Sequence, residues 1–174
     1  MTNKVFIATT IEGNIARKNG DIDWLESIEN PDNNDFGYND FISTIDAIIM
    51  GKNTFEKVLS FEKWPYLIPV YVLSKTLKEI PSDLNDKVKI ISGNLTEIIK
   101  ILNNNGYENI YIDGGKTIQS FLKENLIDEM IITIIPILIG KGIKLFGDLN
   151  DDLKFTLKNT TVFKNGLTQL HYIK

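Results

Sequence analysis

Two strand-to-helix turns carry the residue types that bind phosphate groups. In each turn, glycine follows a short apolar run and is itself followed by lysine and threonine. Glycine lets the backbone approach a ligand closely, and the amide groups that open the next helix point along its axis toward an anion. The residues concerned are Gly51, Lys52 and Thr54 in the first turn, and Gly114, Gly115, Lys116 and Thr117 in the second.

The two turns together are more informative than either one alone. A single glycine before a helix is most often only a tight turn, whereas ligands of α/β proteins bind at the carboxyl ends of parallel strands. Two such turns in one chain therefore indicate a ligand with two or more phosphates, such as a dinucleotide. Neither turn has the GxGxxG spacing, and no GxxxxGK[ST] motif occurs, so the standard Rossmann and P-loop sites are disfavoured.

A cluster of polar residues follows the apolar run at 70–73. Ser74, Lys75 and Thr76 bring two hydroxyl groups and an ammonium group to the end of that run. Such a cluster can hold the ribose 2′-phosphate that distinguishes NADPH from NADH. The alternative is an ordinary polar strand end.

The composition excludes several classes of chemistry. There is no cysteine and His171 is the single histidine, so thiol catalysis, cysteine-held zinc or iron–sulfur sites and two-imidazole sites are excluded; we expect no metal. The net charge of −4 disfavours nucleic acid and anionic membranes as partners. The apolar run Met130–Gly140 is too short for a bilayer and contains Pro136. We expect a soluble protein, and the lack of cysteine is compatible with a reducing cytoplasm.

The hydrophobic pattern predicts an α/β fold in a single domain of residues 1–174. A helix is predicted at Leu95–Asn104, because Asn94 can cap it, Glu97 stands three residues on, and Gly106 follows its end. Short, continuously apolar runs favour a parallel sheet covered on both faces, and the last two strands, which have no helix between them, form an antiparallel pair. The predicted strands are Val5–Thr9, Ala47–Met50, Val70–Leu73, Val88–Ser92, Asn109–Asp113, Asp128–Ile135, Phe155–Phe163 and Gln169–Ile173.

The order and spacing of several motifs resemble the dihydrofolate reductase-like superfamily. Within it they are most similar to the branch typified by the reductase domain of riboflavin biosynthesis and its stand-alone relatives. The segment 136–146 favours that branch over true dihydrofolate reductases. The resemblance covers nearly the whole chain and is carried by the segments 11–16, 23–25, 46–56, 64–66, 72–75, 113–115, 127–129 and 136–146.

The resemblance implies a three-layer α/β fold, with a mostly parallel twisted sheet of about eight strands, helices on both faces and an antiparallel C-terminal strand. It also implies NADPH as cofactor. Gly51, Lys52, Thr54, Gly114 and Gly115 would hold the pyrophosphate side, with Lys116 and Thr117 beside them, and Ser74 and Lys75 would take the 2′-phosphate. Ala8, Thr9, Ile15 and Ala16 would flank the nicotinamide, and Trp24 would lie at the junction of cofactor and substrate, unless it is a core anchor.

The chain departs from the family pattern in its catalytic groups. Dihydrofolate reductases carry a carboxylate on the first helix, four residues before an aromatic residue. No carboxylate in this chain satisfies both that spacing and the alignment with the family. Asp35 is the candidate proton donor, and a helix cap or solvated face is the alternative reading. Arg17 is the only arginine, so the clamp for the glutamate of folate has no counterpart. The zinc deaminase partner domain of riboflavin biosynthesis needs cysteines that this chain lacks.

Two functions remain open from the sequence. The first is an NADPH-dependent reductase that transfers hydride to a C=N or C=O group of a small heterocycle, similar to 5-amino-6-(5-phosphoribosylamino)uracil or to a pterin. The second is a nucleotide-binding sensor or regulatory module of the same fold without turnover. Relatives of this branch are commonly homodimers, which implies a homodimer here, whereas His171 is expected to be a sheet residue.

Overall fold

The computed structural model of the chain describes residues 1–174, with the side chain of residue 26 outside the description. A short 3₁₀ turn at Ser82–Leu84 accompanies ten strands and five α-helices in the described chain. The elements are β1 (Thr2–Thr10), β2 (Asn14–Arg17), α1 (Asp23–Glu26), α2 (Tyr38–Ser43), β3 (Ala47–Gly51), α3 (Lys52–Leu59), β4 (Val70–Leu73), β5 (Val88–Ile91), α4 (Leu95–Asn104), β6 (Asn109–Asp113), α5 (Gly115–Lys123), β7 (Glu129–Ile135), β8 (Gly142–Lys144), β9 (Thr156–Val162) and β10 (Thr168–Ile173).

Eight of these strands form one sheet, in the order β5-β4-β3-β6-β1-β7-β10-β9. The six strands from β5 to β7 run parallel, and β10 runs antiparallel to both β7 and β9. The apolar residues of β3 from Ala47 to Met50 are all fully buried, as expected for a central parallel strand covered on both faces. All eight predicted strands are present, so the prediction of a mostly parallel sheet with an antiparallel C-terminal strand is confirmed.

Helices cover both faces of this sheet. Leu102 of α4 and Phe121 of α5 are buried in the cluster on one face, whereas Phe41 of α2 and Phe55 of α3 are buried in the cluster on the other. Alternate residues of β6 divide between the two clusters, because neighbouring side chains of a strand point to opposite faces. The three-layer arrangement is therefore confirmed, and the central strands β3, β6 and β1 are held rigidly between the two helical layers.

Helix α4 has the bounds and the cap that the sequence predicts. The Asn94 side chain accepts hydrogen bonds from the backbone N–H groups of Thr96 and Glu97, at 2.9 and 3.3 Å. Gly106 has a positive φ of 87°, which ends the helix region in the left-handed conformation that glycine favours. None of the described helices is both long enough and apolar enough to cross a bilayer.

The sequence did not predict the small second sheet, a ribbon formed by β2 and β8. Its strands have only four and three residues, which is too short for an alternating pattern to be recognised. The pairing also joins residues far apart in the chain, such as Arg17 with Gly142. This ribbon crosses the carboxyl end of the main sheet and becomes part of the candidate site.

Candidate active site

The two glycine turns lie side by side at the carboxyl end of the sheet. Strands β3 and β6 are neighbours, and Met50 of β3 is in register with Asp113 at the end of β6, so both strands lead into their glycine turns at nearly the same level. A β-carbon at Gly51 would lie 2.9 Å from the Thr117 hydroxyl oxygen, and one at Gly114 would overlap the Thr54 hydroxyl. Each turn therefore packs against the threonine of the other.

This packing leaves a backbone cradle between two helix N-termini. Helices α3 and α5 both begin there, and neither receives a hydrogen bond from a capping side chain within the described residues. The first-turn amides and the positive ends of the two helix dipoles favour an anion at this point. Gly114 has a φ of 88° and no room for a β-carbon, so its backbone stays open to a ligand. The cradle fits the diphosphate of a dinucleotide.

The lysines of the two turns lie at the rim of the cradle. Lys52 is half-exposed and its Nζ lies 3.5 Å from Glu56 on the next turn of α3. Lys116 is exposed at the start of α5. Both lysines belong to the first turns of the helices that begin at the cradle, and the charge of Lys52 is paired with Glu56.

The β2–β8 ribbon forms a wall beside the second turn. A β-carbon on Gly115 would lie 2.6 Å from Ile15 Cδ1 and 3.5 Å from the Lys144 carbonyl oxygen. Glycine thus lets the ribbon rest directly on the first turn of α5 without displacing the end of the Ile15 side chain. Ala16, the next residue of β2, is buried within the ribbon, where its carbonyl oxygen approaches Gly142. The structure brings the predicted residue Ile15 into contact with the predicted residue Gly115.

The end of β1 lies next to the second turn, because β1 pairs with β6 in the sheet. Thr9 is buried, and Ala8 packs against a small cluster built around Trp24, Ile135 and Leu167. The residues predicted to flank a nicotinamide therefore occupy two walls, one at the end of β1 and one on the ribbon.

The Asp113 carboxyl group lies beside the second glycine turn. Asp113 ends β6, and its Oδ1 accepts a hydrogen bond from the Gly114 N–H at 2.8 Å. Burial raises the pKa of Asp113 to about 6, and the hydrogen bond from Gly114 only partly offsets this effect. An acid of this pKa is partly protonated near neutral pH, so it can give or take a proton.

Tyrosines surround this carboxyl group. The Tyr111 hydroxyl donates to the Phe6 carbonyl oxygen at 2.9 Å, and its ring packs edge-on against Phe41. Burial, followed by the nearby Asp113 charge, raises the pKa of Tyr38 to about 12 and also raises that of Tyr66. The tyrosines therefore stay neutral, and Asp113 is the member of this group that titrates in the physiological range.

Comparison with known protein families shows to which family the chain belongs. The family model of the RibD C-terminal domain matches residues 4–169. The chain belongs to the RibD C-terminal domain family. Membership makes it an oxidoreductase of the riboflavin-reductase type with the dihydrofolate reductase-like fold.

Three relatives illustrate the range of the RibD C-terminal domain family. A crystal structure of a putative riboflavin biosynthesis protein from Shewanella sp. PV-4 superposes with a TM-score of 0.96 at 49% identity, covering 99% of this chain and 98% of that one. The uncharacterized protein YwjB of Bacillus subtilis is 37% identical over 98% of this chain and 96% of its own length. The riboflavin biosynthesis protein RibD of Aquifex aeolicus is 35% identical over 53% of this chain and 26% of its own length.

In this RibD C-terminal domain protein, Ser74 and Lys75 follow β4, the neighbour of β3, at the same edge of the sheet. The Ser74 hydroxyl oxygen accepts hydrogen bonds from the N–H groups of Thr76 and Leu77, at 3.1 and 3.0 Å. Lys75 and Thr76 are exposed. Ser74 thus closes a local turn that presents Lys75 to solvent on the side of the first glycine turn.

The two residues predicted for catalysis lie in different surroundings. Asp35 is exposed, and its carboxylate accepts hydrogen bonds from the N–H groups of Asn39 and Gly37, which lower its pKa. A carboxyl group with a lowered pKa stays ionised at neutral pH, as the carboxylate of a helix cap does. Trp24 is only 1% exposed and packs against Ile135, where its indole N–H has no partner among the described residues.

Sequence reasoning did not select Asp113 as a site residue, although it lay within a recognised segment. The available signal was its position: a carboxylate that ends a buried parallel strand immediately before the paired glycines. Its pKa could not be anticipated, because Tyr38 and Tyr66 reach it from segments whose paths the sequence did not reveal.

Proposed function

We propose that the chain is a cytoplasmic, NADPH-dependent reductase of a C=N or C=O group in a small heterocyclic substrate. The observation that carries this proposal is the pair of glycine turns packed against each other, Gly51 against Thr117 and Gly114 against Thr54. Two uncapped helix N-termini at one point favour a diphosphate bridge. When bound, NADPH supplies the hydride, so the protein has to supply orientation, exclusion of water and a proton.

The residues proposed to bind the cofactor form three groups along one edge of the sheet. The backbone of the two turns would hold the pyrophosphate, and the turn closed by Ser74 would direct Lys75 to the 2′-phosphate. The end of β1 and the ribbon would flank the nicotinamide. The full set is Ala8, Thr9, Ile15, Ala16, Gly51, Lys52, Thr54, Ser74, Lys75, Gly114, Gly115, Lys116 and Thr117.

Asp113 is the group proposed to hold the transferred proton. Its pKa of about 6 keeps part of the population protonated near neutral pH, whereas the backbone hydrogen bonds to Asp35 keep that carboxylate charged. Reduction of C=N or C=O adds one proton as well as a hydride, and a protonated carboxyl group can donate it. Activity should therefore fall as the pH rises through about 6, and this dependence should be absent in Asp113→Asn.

The choice of substrate follows from the single arginine. Arg17 makes two hydrogen bonds to Asp23, at 2.6 and 3.0 Å, so its guanidinium group is already engaged. A fork-shaped clamp for the glutamate carboxylate of folate is not replaced equivalently by lysine. We therefore favour a pyrimidine similar to 5-amino-6-(5-phosphoribosylamino)uracil, or a small pterin, over folate.

The decisive experiment combines binding with turnover. Quenching of tryptophan fluorescence measures the Kd for NADPH and NADH, and the loss of NADPH absorbance measures turnover with ribosylaminopyrimidines, dihydropterins and dihydrofolate. We expect tight NADPH binding and turnover of a member of the first two classes. Binding without turnover of any of them would favour the sensor; absence of NADPH binding would overturn the assignment.

A homodimer is the proposed assembly. One face of β7 and β10 is lined by apolar residues from the segment 146–155 instead of a helix, and a mainly apolar cleft of about 480 Å³ remains there. Large apolar side chains around this face are exposed, including Val162 at 72%, Ile11 at 60% and Leu157 at 51%. Contiguous apolar surface of this kind marks an interface. A second copy of the chain is the proposed occupant of this face.

A further inference from the structure

The turn that joins β1 to β2 is held to the segment after β7 by a backbone hydrogen bond, from Ile11 N–H to the Ile137 carbonyl oxygen at 3.2 Å, and by the side chains of Glu12 and Asn14. Glu12 Oε1 accepts a hydrogen bond from the backbone N–H of Ile139 at 3.1 Å, and a second from the Asn14 side chain at 2.8 Å. The Lys144 ammonium donates to the Glu12 carbonyl oxygen at 2.7 Å. Glu12 thus connects three segments that the backbone pairing of the main sheet does not connect.

Asn14 completes this connection from inside the ribbon. It is fully buried, and its Nδ2 donates both to Glu12 and to the Gly140 carbonyl oxygen, the latter at 3.1 Å. Its backbone N–H donates to the Thr10 hydroxyl at 3.1 Å. The Asn14 Oδ1 has no partner among the described residues, so the two hydrogen bonds of Nδ2 are what hold this buried side chain, and releasing either would leave the buried amide still less satisfied.

The fixed segment is the one that meets the second glycine turn. Ile15, directly after Asn14, supplies the methyl group that lies over Gly115, and the Lys144 carbonyl oxygen accepts a hydrogen bond from Gln119 of α5 at 2.8 Å. The ribbon is therefore held to α5 through Lys144 and to the segment after β7 through Asn14 and Glu12, in addition to the backbone hydrogen bond between Ile11 and Ile137. Among these contacts, the one that joins Asn14 to the Ile139 amide depends on the Glu12 carboxylate.

We propose that Glu12 is a positioning residue for the cofactor site: its carboxylate, acting through Asn14, holds Ile15 against the second glycine turn. This inference rests on the proposed function for its ligand, NADPH. The carboxylate itself touches neither glycine turn, so its effect on binding passes through the position of β2. A preorganised wall binds with less loss of conformational freedom than one that must be ordered by the ligand.

The test measures NADPH binding and backbone exchange in Glu12→Ala. Loss of the two partly buried hydrogen bonds that order the wall should raise the Kd for NADPH about tenfold. Without any NADPH present, hydrogen exchange should accelerate at the Ile139 amide and across 14–17, while α4 is unchanged. Glu12→Gln keeps an oxygen acceptor for both donors, so its Kd should stay within about twofold of the wild type.

Glu129→Ala is the matched control. Glu129 also bonds a neighbouring side chain, His171 Nε2 at 2.6 Å, but it lies at the amino end of β7, away from the glycine turns. Its loss should leave the Kd for NADPH unchanged. If Glu12→Ala does not fold, Asn14→Leu, which removes the Nδ2 donor at similar size without adding a charge beside Glu12, is measured in its place with the same expectation.

The possible results separate this inference from the proposed function. Equal Kd values for wild type and Glu12→Ala, or unchanged exchange across 14–17, would overturn the role of Glu12 while leaving the reductase proposal intact. A wild-type protein that does not bind NADPH would overturn the proposed function, and the accelerated exchange across 14–17 would then show only that Glu12 holds the ribbon.

Discussion

Thr54 of helix α3 packs directly against Gly114, the residue that opens helix α5 in the neighbouring turn. The contact is so close that any β-carbon at Gly114 would overlap the threonine hydroxyl. A side chain at Gly114 would therefore both push the two helix N-termini apart and require a left-handed backbone that L residues seldom adopt. The distance between the two turns, and with it the width of the cradle, depends on this pair together with Gly51 and Thr117.

Gly114→Ala should abolish NADPH binding. We expect the Kd to rise by about two orders of magnitude or more, because the loss of alignment affects both helix N-termini that hold the diphosphate. Gly106→Ala is the control, since Gly106 has nearly the same φ of 87° but nothing within 4 Å of its β-carbon position. Both variants place alanine at a positive φ, but only Gly114→Ala also brings a β-carbon into Thr54. Fluorescence titration and thermal unfolding of both variants therefore separate the effect of backbone strain from that of the overlap with Thr54. Equal loss of binding in both would contradict this account.

Asp113→Asn should remove a pH dependence of stability. The pKa of Asp113 is about 6 in the folded chain against 3.8 for the free group, so between these values the folded state binds more protons than the unfolded state. The free energy of unfolding of the wild type should therefore fall as the pH rises from about 4 to about 6. The fall amounts to at most about 3 kcal/mol.

Urea unfolding at several pH values measures this effect. The difference in unfolding free energy between wild type and Asp113→Asn should change between about pH 4 and about pH 6 and be constant above that range. Asp35→Asn is the comparison, because backbone hydrogen bonds lower the pKa of Asp35 and its contribution is lost as the pH falls. A difference that is independent of pH would mean that Asp113 is not buried as a carboxylic acid.

Lys75→Gln should weaken NADPH binding and leave NADH binding unchanged. Removing one ammonium group from a phosphate subsite is expected to raise the Kd for NADPH about tenfold at low salt. Lys78→Gln is the control, since Lys78 is also exposed and lies three residues further along. Equal Kd values for NADPH and NADH in the wild type would remove the role proposed for Ser74 and Lys75.

Leu157→Lys combined with Val162→Lys should convert a dimer into a monomer. Both side chains are more than half exposed on the apolar face of β9, so charges there should cost little in the free chain but prevent its burial against a second copy. Ile101→Lys changes an equally exposed apolar residue on α4 and should leave the assembly unchanged. Gel filtration with light scattering reads the mass, and a monomeric wild type would overturn the proposed homodimer.

More of the fold than of the candidate site could be predicted from the sequence. The central strands could be predicted because runs such as 47–50 are buried on both faces and hence continuously apolar, and α4 could be bounded because Asn94 and Gly106 mark its ends locally. The ribbon was missed because β2 and β8 are too short and too far apart in the chain to carry a pattern.

The site was predicted only where its residues are close together in the sequence. Each glycine turn could be found from its own segment, and β-strand pairing then brings the two together. Asp113 differs, because the burial that raises its pKa depends on how distant parts of the chain pack around it. Trp24 was assigned to the site from resemblance, whereas its burial against Ile135 and Leu167 is what a core anchor also requires.

The ribbon has a consequence for the order in which the protein can mature. One of its strands is made near the start of synthesis and the other only after β7, so a nascent chain presents both glycine turns before the wall beside them can exist. Pairing of such distant segments is slow relative to local folding. Chains that end before Gly142 would therefore carry both glycine turns without the ribbon that rests on the second of them.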